Sequence, residues 1–501
     1  MEKTYWETSG RLPRFGKISR NVEVDVAIIG AGLTGITAAY LLKKAGARVV
    51  LLDRARCAGA DTAHTTAHLT YVTDTRLNEL VRTFGRDGAK AFWEAGVAAI
   101  DEIYDIVRTE SSACGFEWVP GYLHAALGDA KEKDRKSLEE DARLAAEFGF
   151  DARFVEKVPC VDRCGVRFGQ QAKFHPLKYL APLLARIPGD GSYVFDNSEA
   201  QDVEDDPMTV KVGKFKVRCQ YLVIATHTPL LGKTSLVKGT LFQTKLALYT
   251  SYVLGARLPR GRVPPALFWD TAVPYHYLRL DQKAGFDYAI FGGEDTKTGQ
   301  EDDPKLVFKR LEAKLTTFLP EAKVVDRWLG QVVETNDGLP FIGESAGKQF
   351  VATGFCGNGF TLGTLSAVMA RDRYLGRRNP WFELFDVKRK KFHGGTWNYL
   401  KENLDYPYYM LRDRVAKAGG DCTDDLKAGD GKILTLKGKK VAAYRDDQGR
   451  VILRSPVCTH MGCIVRWNRA DKTWDCPCHG SRFKPDGNVH SGPAETPLEK
   501  A

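Results

Sequence analysis

The 501-residue sequence lacks long hydrophobic runs, and no apolar stretch approaches the roughly 18 residues that a membrane helix requires. Residues 1–16 lack the apolar core and the cleavage site of a signal peptide. Internal repeats and low-complexity tracts are also absent. These absences predict a cytoplasmic globular protein with no membrane span.

Charge of one sign is not concentrated either, since 73 basic and 63 acidic side chains, a net charge of +10, are dispersed along the chain. A dispersed excess predicts solubility rather than a nucleic-acid partner, and it leaves room for an anionic substrate or an acidic partner. The short basic run at 388–391 is typical of a solvated linker. Length and ordinary composition predict two to four domains.

Cysteine is too sparse for a disulfide scaffold, with 11 residues in the whole chain. Four of them nevertheless crowd into residues 458–478. In a cytosolic protein, such crowding indicates metal or redox chemistry.

Apolar periodicity outlines the secondary structure. Residues 22–53 have the pattern of a βαβ unit. The patterns further along predict two long helices within 75–150, a hairpin and a strand at 221–225 that rejoins the first sheet, an antiparallel sheet over 249–291, a helix at 304–318 and a strand–glycine–helix unit over 332–380.

The βαβ unit contains a dinucleotide-binding signature. Gly30, Gly32 and Gly35 form a GxGxxG turn between the first strand and the helix, and Asp53 ends the second strand. This context predicts a pyrophosphate at the helix N-terminus and a ribose at Asp53. The alternative is a glycine turn without a ligand.

Later segments favour FAD over NAD. Residues 337–343 (DGLPFIG), 354–361 (GFCGNGFT), 221–226 (YLVIAT) and 292–294 (GGE) resemble segments of the D-amino-acid oxidase/glycine oxidase-like family. The resemblance covers about residues 24–376. It implies FAD and an organic substrate as reductant, because the second strand–GxGxxG–helix unit typical of nicotinamide-dependent flavin reductases is absent.

The resemblance also implies the cofactor contacts. They are Gly30, Ala31, Gly32, Leu33, Gly35, Asp53, Arg54, His64, Thr65, Val203, Ala225, Thr226, Asp337, Gly357, Asn358, Gly359, Phe360 and Thr361. In relatives that oxidise methylated glycines, a histidine at the offset of His64 can bond covalently to the flavin. His64 could form this bond, contact the flavin without it, or be structural.

Two short loops predict an iron–sulfur site. Residues 458–463 (CTHMGC) and 476–481 (CPCHGS) offer two thiolates and two imidazoles. In a Rieske [2Fe–2S] centre two histidines replace two cysteines on one iron, so Cys458 and Cys476 would hold one iron and His460 and His479 the other. A Cys2His2 zinc site is the alternative.

The loops resemble those of cytochrome bc/b6f-type Rieske proteins. The resemblance implies a disulfide between Cys463 and Cys478, which a zinc site would not explain, and it extends through Gly480, Ser481, Gly487 and residues 492–494. No non-haem iron domain accompanies the loops, which disfavours hydroxylation. Phe483 stands where high-potential members have a tyrosine, so we expect a lower potential.

Both halves together resemble a bacterial class of glycine oxidase-like flavoproteins with a C-terminal Rieske domain. The predicted fold is an α/β, Rossmann-like FAD-binding domain with an antiparallel-sheet substrate domain, plus a small all-β Rieske domain. The predicted boundaries are 1–384 for the flavoprotein (FAD-binding segments about 22–75, 190–230 and 332–380), 385–420 for a linker and 421–501 for the Rieske domain.

The predicted function is oxidation of a C–N bond of an amine or amino acid by FAD, with electrons passing to the Rieske cluster and then to an external acceptor. Two alternatives remain: electrons flow in reverse from an external donor to a flavin-bound substrate, or the protein is a redox sensor or electron-transfer module without turnover.

Candidate substrate contacts lie on the predicted antiparallel sheet. Tyr277, Arg279 and Tyr252 are the principal candidates, with Arg279 as a bidentate partner of a carboxylate. Tyr249, Trp269, Tyr275 and His276 are further candidates. The alternative is that these side chains belong to the core or the surface. No general base is assigned.

Overall fold

The structure is a computed structural model that describes residues 3–127, 132–229, 245–389, 405–416 and 419–501. Its helices are α1 (Tyr5–Ser9), α2 (Leu33–Lys44), α3 (Leu77–Thr109), α4 (Glu132–Glu147), α5 (Pro176–Arg186), α6 (Pro304–Phe318), α7 (Gly359–Tyr374) and α8 (Asp405–Val415), with a 3-10 turn at Asp61–His64.

The strands fall into five sheets. They are β1 (Val22–Glu23), β2 (Val26–Ile29), β3 (Val49–Leu52), β4 (His68–Leu69), β5 (Glu117–His124), β6 (Ala152–Val155), β7 (Gly165–Lys173), β8 (Tyr193–Phe195), β9 (Asp202–Asp205), β10 (Met208–Val212), β11 (Phe215–Arg218), β12 (Tyr221–Ile224), β13 (Leu246–Leu258), β14 (Leu267–Asp270), β15 (His276–Gln282), β16 (Asp287–Lys297), β17 (Lys323–Thr335), β18 (Phe341–Ala346), β19 (Gln349–Thr353), β20 (Gly431–Leu436), β21 (Lys439–Arg445), β22 (Val451–Arg454), β23 (Arg466–Asn468), β24 (Thr473–Asp475), β25 (Arg482–Phe483) and β26 (Val489–Ser491).

The first sheet has six strands in the order β18-β19-β12-β2-β3-β8. β12 pairs in parallel with β2, which confirms that the apolar strand at 221–225 rejoins the βαβ unit. β2, β3 and β12 are buried along their whole length, as expected for parallel strands covered on both faces. α2 and α7 approach each other closely, since a Cβ atom on Gly363 would lie 2.6 Å from Thr34 Oγ1.

A second, small sheet contains the predicted hairpin, formed by β10 and β11. β11 pairs with β1, and β10 pairs with β9. This sheet lies beside the parallel sheet and shares an apolar core with its strands.

The third sheet has the order β17-β13-β16-β15-β14-β5-β7-β4, with β6 attached to β7. Its β13–β16 part confirms the predicted antiparallel sheet. The sheet is wider than expected, because β4 to β7 also join it, and β5 comes from the region 75–150 for which only helices were predicted. α6 begins at Pro304 after the N-cap Asp303 and has the predicted bounds of 304–318. It packs against β13 and β16.

The two predicted long helices within 75–150 are α3 and α4. α3 is kinked at Gly85, whose φ of +76° is not helical. No helix among the described residues is long and apolar enough to cross a membrane.

The C-terminal part contains a three-stranded sheet (β20–β22) and a four-stranded sheet (β23–β26). Trp474 and Phe483 are fully buried at the centre of its core. α8 packs against this part through Asp413, which accepts a hydrogen bond from Arg466 at 2.7 Å.

Part of the predicted linker belongs to folded structure. Phe385 is fully buried in the flavoprotein core, and Arg389 forms an ion pair with Asp337 at 2.8 Å. The basic run at 388–391 is therefore not a purely solvated face. Residues 390–404 and 417–418 of the predicted linker lie outside the described residues.

Candidate functional site

The glycine turn after β2 is closed tightly by its own backbone. Gly30 has a φ of +96°, and a Cβ atom there would lie 2.7 Å from the carbonyl oxygen of Ala225. A Cβ atom on Gly35 would overlap the carbonyl oxygen of Gly30. Gly32 is the N-cap of α2. The backbone N–H groups in the first turn of α2 therefore lie at the glycine turn, where they can stabilise an anion.

Asp53 lies beside this turn at the end of β3. Its two carboxylate oxygens accept hydrogen bonds from the backbone N–H groups of Ala31 and Ala55, each at 2.8 Å. Burial raises the pKa of the Asp53 carboxyl. A carboxylate has about four acceptor positions, so two remain for a ribose.

Thr62, which the sequence analysis did not single out, also lies at the turn. Its Oγ1 accepts a hydrogen bond from the Leu33 N–H at 3.0 Å. This hydroxyl therefore occupies one of the free N–H groups at the start of α2.

The second predicted flavin region is the loop from β19 into α7. Asn358 donates to the Val72 carbonyl at 3.1 Å, and Thr361 donates to the Thr70 carbonyl at 2.9 Å. Phe360 is buried against Phe174. These side chains fix the loop, so its contribution to a cofactor is the backbone at Gly357 and the first turn of α7, including Gly359.

Other predicted cofactor residues are engaged with protein groups. The Asp337 carboxylate pairs with Arg389, and Thr226 Oγ1 donates to the Thr228 carbonyl. The Thr65 carbonyl accepts from Trp6 Nε1 at 2.6 Å, and Val203 pairs with Val210 in the small sheet.

Arg54 and His64 lie at the border of the predicted flavin site. Arg54 donates a hydrogen bond to the carbonyl of His490 in the C-terminal part. The His64 ring contacts the Ala60 carbonyl at 2.9 Å, and the His64 carbonyl accepts from Trp328 Nε1 at 3.0 Å. The glycine turn after β2, the N-terminus of α2 and the Asp53 carboxylate at the end of β3 together fit FAD.

The two cysteine loops have the same backbone closure. The Cys458 N–H donates to Cys463 O at 2.7 Å, and the Cys476 N–H donates to Ser481 O at 2.8 Å. Gly462 and Gly480 occupy equivalent positions, with φ values of +79° and +69° that favour glycine. The two loops therefore present their side chains as a pair.

The predicted ligands meet between these loops. The Cys458 and Cys476 thiols are buried within hydrogen-bonding range of each other, and the resulting sulfur interaction lowers the pKa of Cys458 to about 7. The rings of His460 and His479 lie 5.0 Å apart, and burial lowers their pKa values to about 4 and about 3. Neutral imidazoles and a thiolate are the forms that bind metal.

The second cysteine pair forms the expected disulfide, Cys463–Cys478. It joins the two loops, and the sulfur atoms of Cys463, Cys476 and Cys478 lie within 4.8 Å of one another. Ser481 accepts from the Ala494 N–H at 3.1 Å and hydrogen-bonds Cys458. Two thiols, two neutral imidazoles and a hydroxyl at a ligand sulfur fit a Rieske cluster.

The second cluster loop packs directly on the antiparallel sheet. Gln331 of β17 donates to the Gly480 carbonyl at 3.0 Å and accepts from the Ser491 hydroxyl at 3.0 Å. A Cβ atom on Gly480 would lie 2.6 Å from Leu248 Cβ, and one on Gly299 would lie 2.7 Å from the Cys476 carbonyl carbon. No pattern in the sequence predicted this interface.

The opposite face of the same sheet borders the predicted flavin site. Gly330 pairs with Ser251, and a Cβ atom on Gly330 would lie 3.2 Å from the His64 carbonyl oxygen. Ser251 bonds to Tyr277 at 2.9 Å. Because successive side chains of a strand point to opposite faces, Gly330 faces the flavin side and Gln331 faces the cluster.

Tyr277 is the principal substrate candidate that lies on the flavin side. Tyr252 lies on the other face, where its ring packs against Phe308 of α6 and its side chain lines a crevice beside Trp467. The prediction that Tyr252 contacts substrate is therefore corrected, because strand alternation turns its side chain away from Ser251 and Tyr277.

Arg279 is also unsuited to its predicted role. It is 1% exposed and donates to the carbonyls of Ala67 (2.6 Å) and Phe174 (3.2 Å) and to the carboxylate of Asp281. Its guanidinium also lies 5.4 Å from the Trp6 ring. The guanidinium holds the N-terminal arm and the sheet together and is not available to a substrate carboxylate.

The fold and these two sites define a flavoprotein oxidoreductase that carries a Rieske iron–sulfur domain. Residues 25–373 match the family model of the FAD dependent oxidoreductases (DAO), and residues 421–501 match that of the Rieske [2Fe-2S] domain. The chain belongs to this FAD-dependent oxidoreductase family, with a Rieske domain at its C-terminus, and its cofactors are FAD and a [2Fe–2S] cluster.

Known proteins resemble the chain over different lengths. It is 32% identical to the Rieske 2Fe-2S iron-sulfur protein YhfW of Bacillus subtilis (strain 168), over 99% of this chain and 97% of that protein. It is 22% identical to the gamma-glutamylputrescine oxidoreductase of Escherichia coli (strain K12), over 82% of this chain and 98% of that protein. The crystal structure of glycine oxidase from Geobacillus kaustophilus superposes with a TM-score of 0.60 at 15% identity, over 74% of this chain and 99% of the glycine oxidase chain.

Proposed function

We propose that this protein oxidises a C–N bond of an amine or amino acid and passes the electrons through its Rieske cluster to an external acceptor. The observation that carries the proposal is the position of β17. Gly330 on one face of this strand abuts the His64 carbonyl, and Gln331 on the other face hydrogen-bonds Gly480. A single strand layer therefore separates the two predicted cofactor sites.

The tight fit of the second cluster loop on the sheet supports direct electron transfer within the chain. Glycine occupies both contact positions, Gly299 and Gly480, where a methyl group would not fit. Gln300 donates to the Pro477 carbonyl at 3.0 Å, and Arg466 pairs with Asp302 at 3.1 Å. These contacts hold the cluster loop against the sheet rather than leaving it on a free surface.

The assignment of residues to the cofactors belongs to the same proposal. The α2 turn and Asp53 hold the dinucleotide, and the backbone at the start of α7 borders the flavin ring. Cys458 and Cys476 hold one iron, and His460 and His479 hold the other. FAD supplies a two-electron acceptor for the C–N bond, whereas the cluster carries one electron at a time.

The chain's own residues provide a substrate site beside the backbone that borders the flavin ring. Ser251 and Tyr277 present hydroxyl groups there, and the buried Arg279 fixes the sheet beneath them. The names of the relatives support the substrate class, since gamma-glutamylputrescine oxidoreductase and glycine oxidase are both named for nitrogen compounds.

The test is an anaerobic titration of the iron-replete protein with amines, N-methylated glycines and amino acids, monitored by absorbance and EPR. We expect one class of compound to bleach the flavin bands while a Rieske EPR signal appears. A protein that stays oxidised with every compound, yet is reduced by dithionite, contradicts the proposal. Measured potentials that place the cluster below the flavin would instead favour electron flow in reverse.

A further inference from the structure

Asp74 lies against the backbone that borders the predicted flavin ring. Its Oδ2 atom accepts a hydrogen bond from the Tyr275 hydroxyl at 3.2 Å. A Cβ atom on Gly357 would lie 2.6 Å from the same oxygen and 3.3 Å from the Tyr275 hydroxyl. This carboxylate therefore lies beside the loop that the proposed function assigns to the flavin ring.

A second acid shares this side of the sheet. Asp295 hydrogen-bonds the Ser251 hydroxyl, which in turn bonds to Tyr277 at 2.9 Å. Asp295 Oδ1 is buried and has no hydrogen-bond partner in the described part of the chain. The rings of Tyr275 and Tyr277 lie 5.8 Å apart and connect the two acids.

The two carboxyls interact unfavourably with each other. Desolvation by the surrounding protein, followed by the charge of Asp295, raises the pKa of Asp74 to about 7, and desolvation raises the pKa of Asp295 to about 6. The Asp74 side chain is nevertheless exposed to solvent, so a ligand can reach the space beside the two acids, here called the acidic cleft. A cation between the two acids would relieve both the desolvation and the repulsion.

Basic side chains near this cleft are engaged elsewhere. Arg279 is bonded to Asp281 and to backbone carbonyls. Burial lowers the pKa of His68, which packs on Tyr277, to about 3, so this ring is neutral. His276 precedes Tyr277 on β15, so it lies on the other face of the sheet, where it bonds to Asp270 at 2.9 Å. The cleft is therefore locally acidic although the whole chain has a net positive charge.

We propose that the substrate binds as an ammonium cation and needs no α-carboxylate, with Asp74 and Asp295 as its charge partners and the faces of Tyr275 and Tyr277 as its aromatic walls. The inference rests on the proposed C–N oxidation and narrows its substrate class to amines. Asp74 can also take the ammonium proton: an N–H bond breaks, an O–H bond forms on the carboxylate, and the nitrogen lone pair becomes free. A pKa near neutrality suits that exchange.

Binding of an unreactive cation tests the recognition without turnover. Butyltrimethylammonium is permanently charged and has no nitrogen lone pair, and pentanoate is an anion of similar length. Calorimetry on the FAD- and iron-loaded protein should detect the cation and not the anion. Asp74→Asn and Asp295→Asn should each weaken cation binding at least tenfold, whereas the exposed, ion-paired Asp190→Asn should leave it unchanged.

The Asp74→Asn variant keeps an acceptor for the Tyr275 hydroxyl, and an unchanged flavin spectrum and melting temperature would show that it is folded. Tighter binding of pentanoate than of the cation, or no effect of either carboxamide variant, would overturn the inference.

Reduction by a matched pair of compounds separates this inference from the proposed function. Butylamine is norvaline without its carboxylate, so the pair differs in one group. We expect butylamine to bleach the flavin bands and norvaline to bleach them more slowly or to a smaller extent. Bleaching by norvaline alone would overturn the cation class but keep C–N oxidation. Bleaching by none of the amines or amino acids tested would refute C–N oxidation itself, whatever the calorimetry shows.

Discussion

Gly480→Ala should weaken the contact between the second cluster loop and the sheet. The new methyl group would lie 2.6 Å from Leu248 Cβ and 3.3 Å from Thr298 Cβ. Overpacking of this kind costs about 1–3 kcal/mol. Because about 1.4 kcal/mol is a tenfold change in an equilibrium constant, the docked fraction should fall relative to the undocked one by roughly 5- to 150-fold.

Gly462→Ala is the matched control. Gly462 occupies the equivalent position of the first cluster loop and also has a positive φ, so both variants carry the same left-handed strain of about 1–2 kcal/mol. A Cβ atom on Gly462 has Arg414 Nη2 as its nearest neighbour, at 3.6 Å, which is an ordinary contact. The difference between the two variants therefore isolates the clash with the sheet.

The assay needs no knowledge of the substrate. Flavin is photoreduced anaerobically with light and EDTA, and the reduced cluster is followed by rapid-freeze EPR. Hydrogen exchange reports docking through the protection of the segment around Gln331. We expect slower cluster reduction and lower protection in Gly480→Ala only. Equal transfer rates and equal protection in both variants would refute transfer across this sheet.

Three further predictions concern single groups. Phe483→Tyr should raise the cluster potential by about 60 mV, if the new hydroxyl favours the reduced cluster by about 1.4 kcal/mol; an unchanged potential in redox titration would show that it does not reach a sulfur. Arg279→Met should lower unfolding free energy by about 3–5 kcal/mol, because Asp281 remains buried without its cation; unchanged stability with a raised KM for amino acids would instead restore Arg279 as a carboxylate ligand. Affinity for butyltrimethylammonium should be highest above about pH 8 and fall by up to tenfold per unit below about pH 7, because protonation of Asp74 removes its charge. The titratable neighbours of Asp74 are Asp295, Tyr275, Tyr277, Glu334 and Cys356. The tyrosines and Cys356 have raised pKa values and stay neutral, so a flat profile in calorimetry would contradict the role of the two acids.

Features confined to short segments could be predicted from sequence. The glycine turn, α6 and the hairpin of β10 and β11 depend on backbone freedom, capping and periodicity within about 20 residues. The two cluster loops bring six adjacent residues each, so spacing and residue type were sufficient to indicate their chemistry.

The candidate substrate contacts could not be ranked in the same way. Tyr252, Tyr277 and Arg279 each have a side chain that could contact a substrate, and all three lie on sheet strands. The sequence offers no feature that ranks one above another. Their roles differ because strand alternation and a bulge between Thr250 and Tyr252 decide which face each side chain occupies. Asp74 gave no signal, since a single acid near a helix start is ordinary.

The sequence alone indicated that this protein carries FAD and a Rieske cluster, because each set of binding residues lies in short segments whose pattern is recognisable by itself. Only the tertiary structure decided how the two are related. The contact of Gly480 with Leu248 joins residues more than 200 positions apart, and no local pattern encodes such a pairing. The acidic cleft likewise exists only because the sheet brings Asp295 to the same side as Asp74, where desolvation raises the pKa values of both carboxyls and a bound cation would be stabilised.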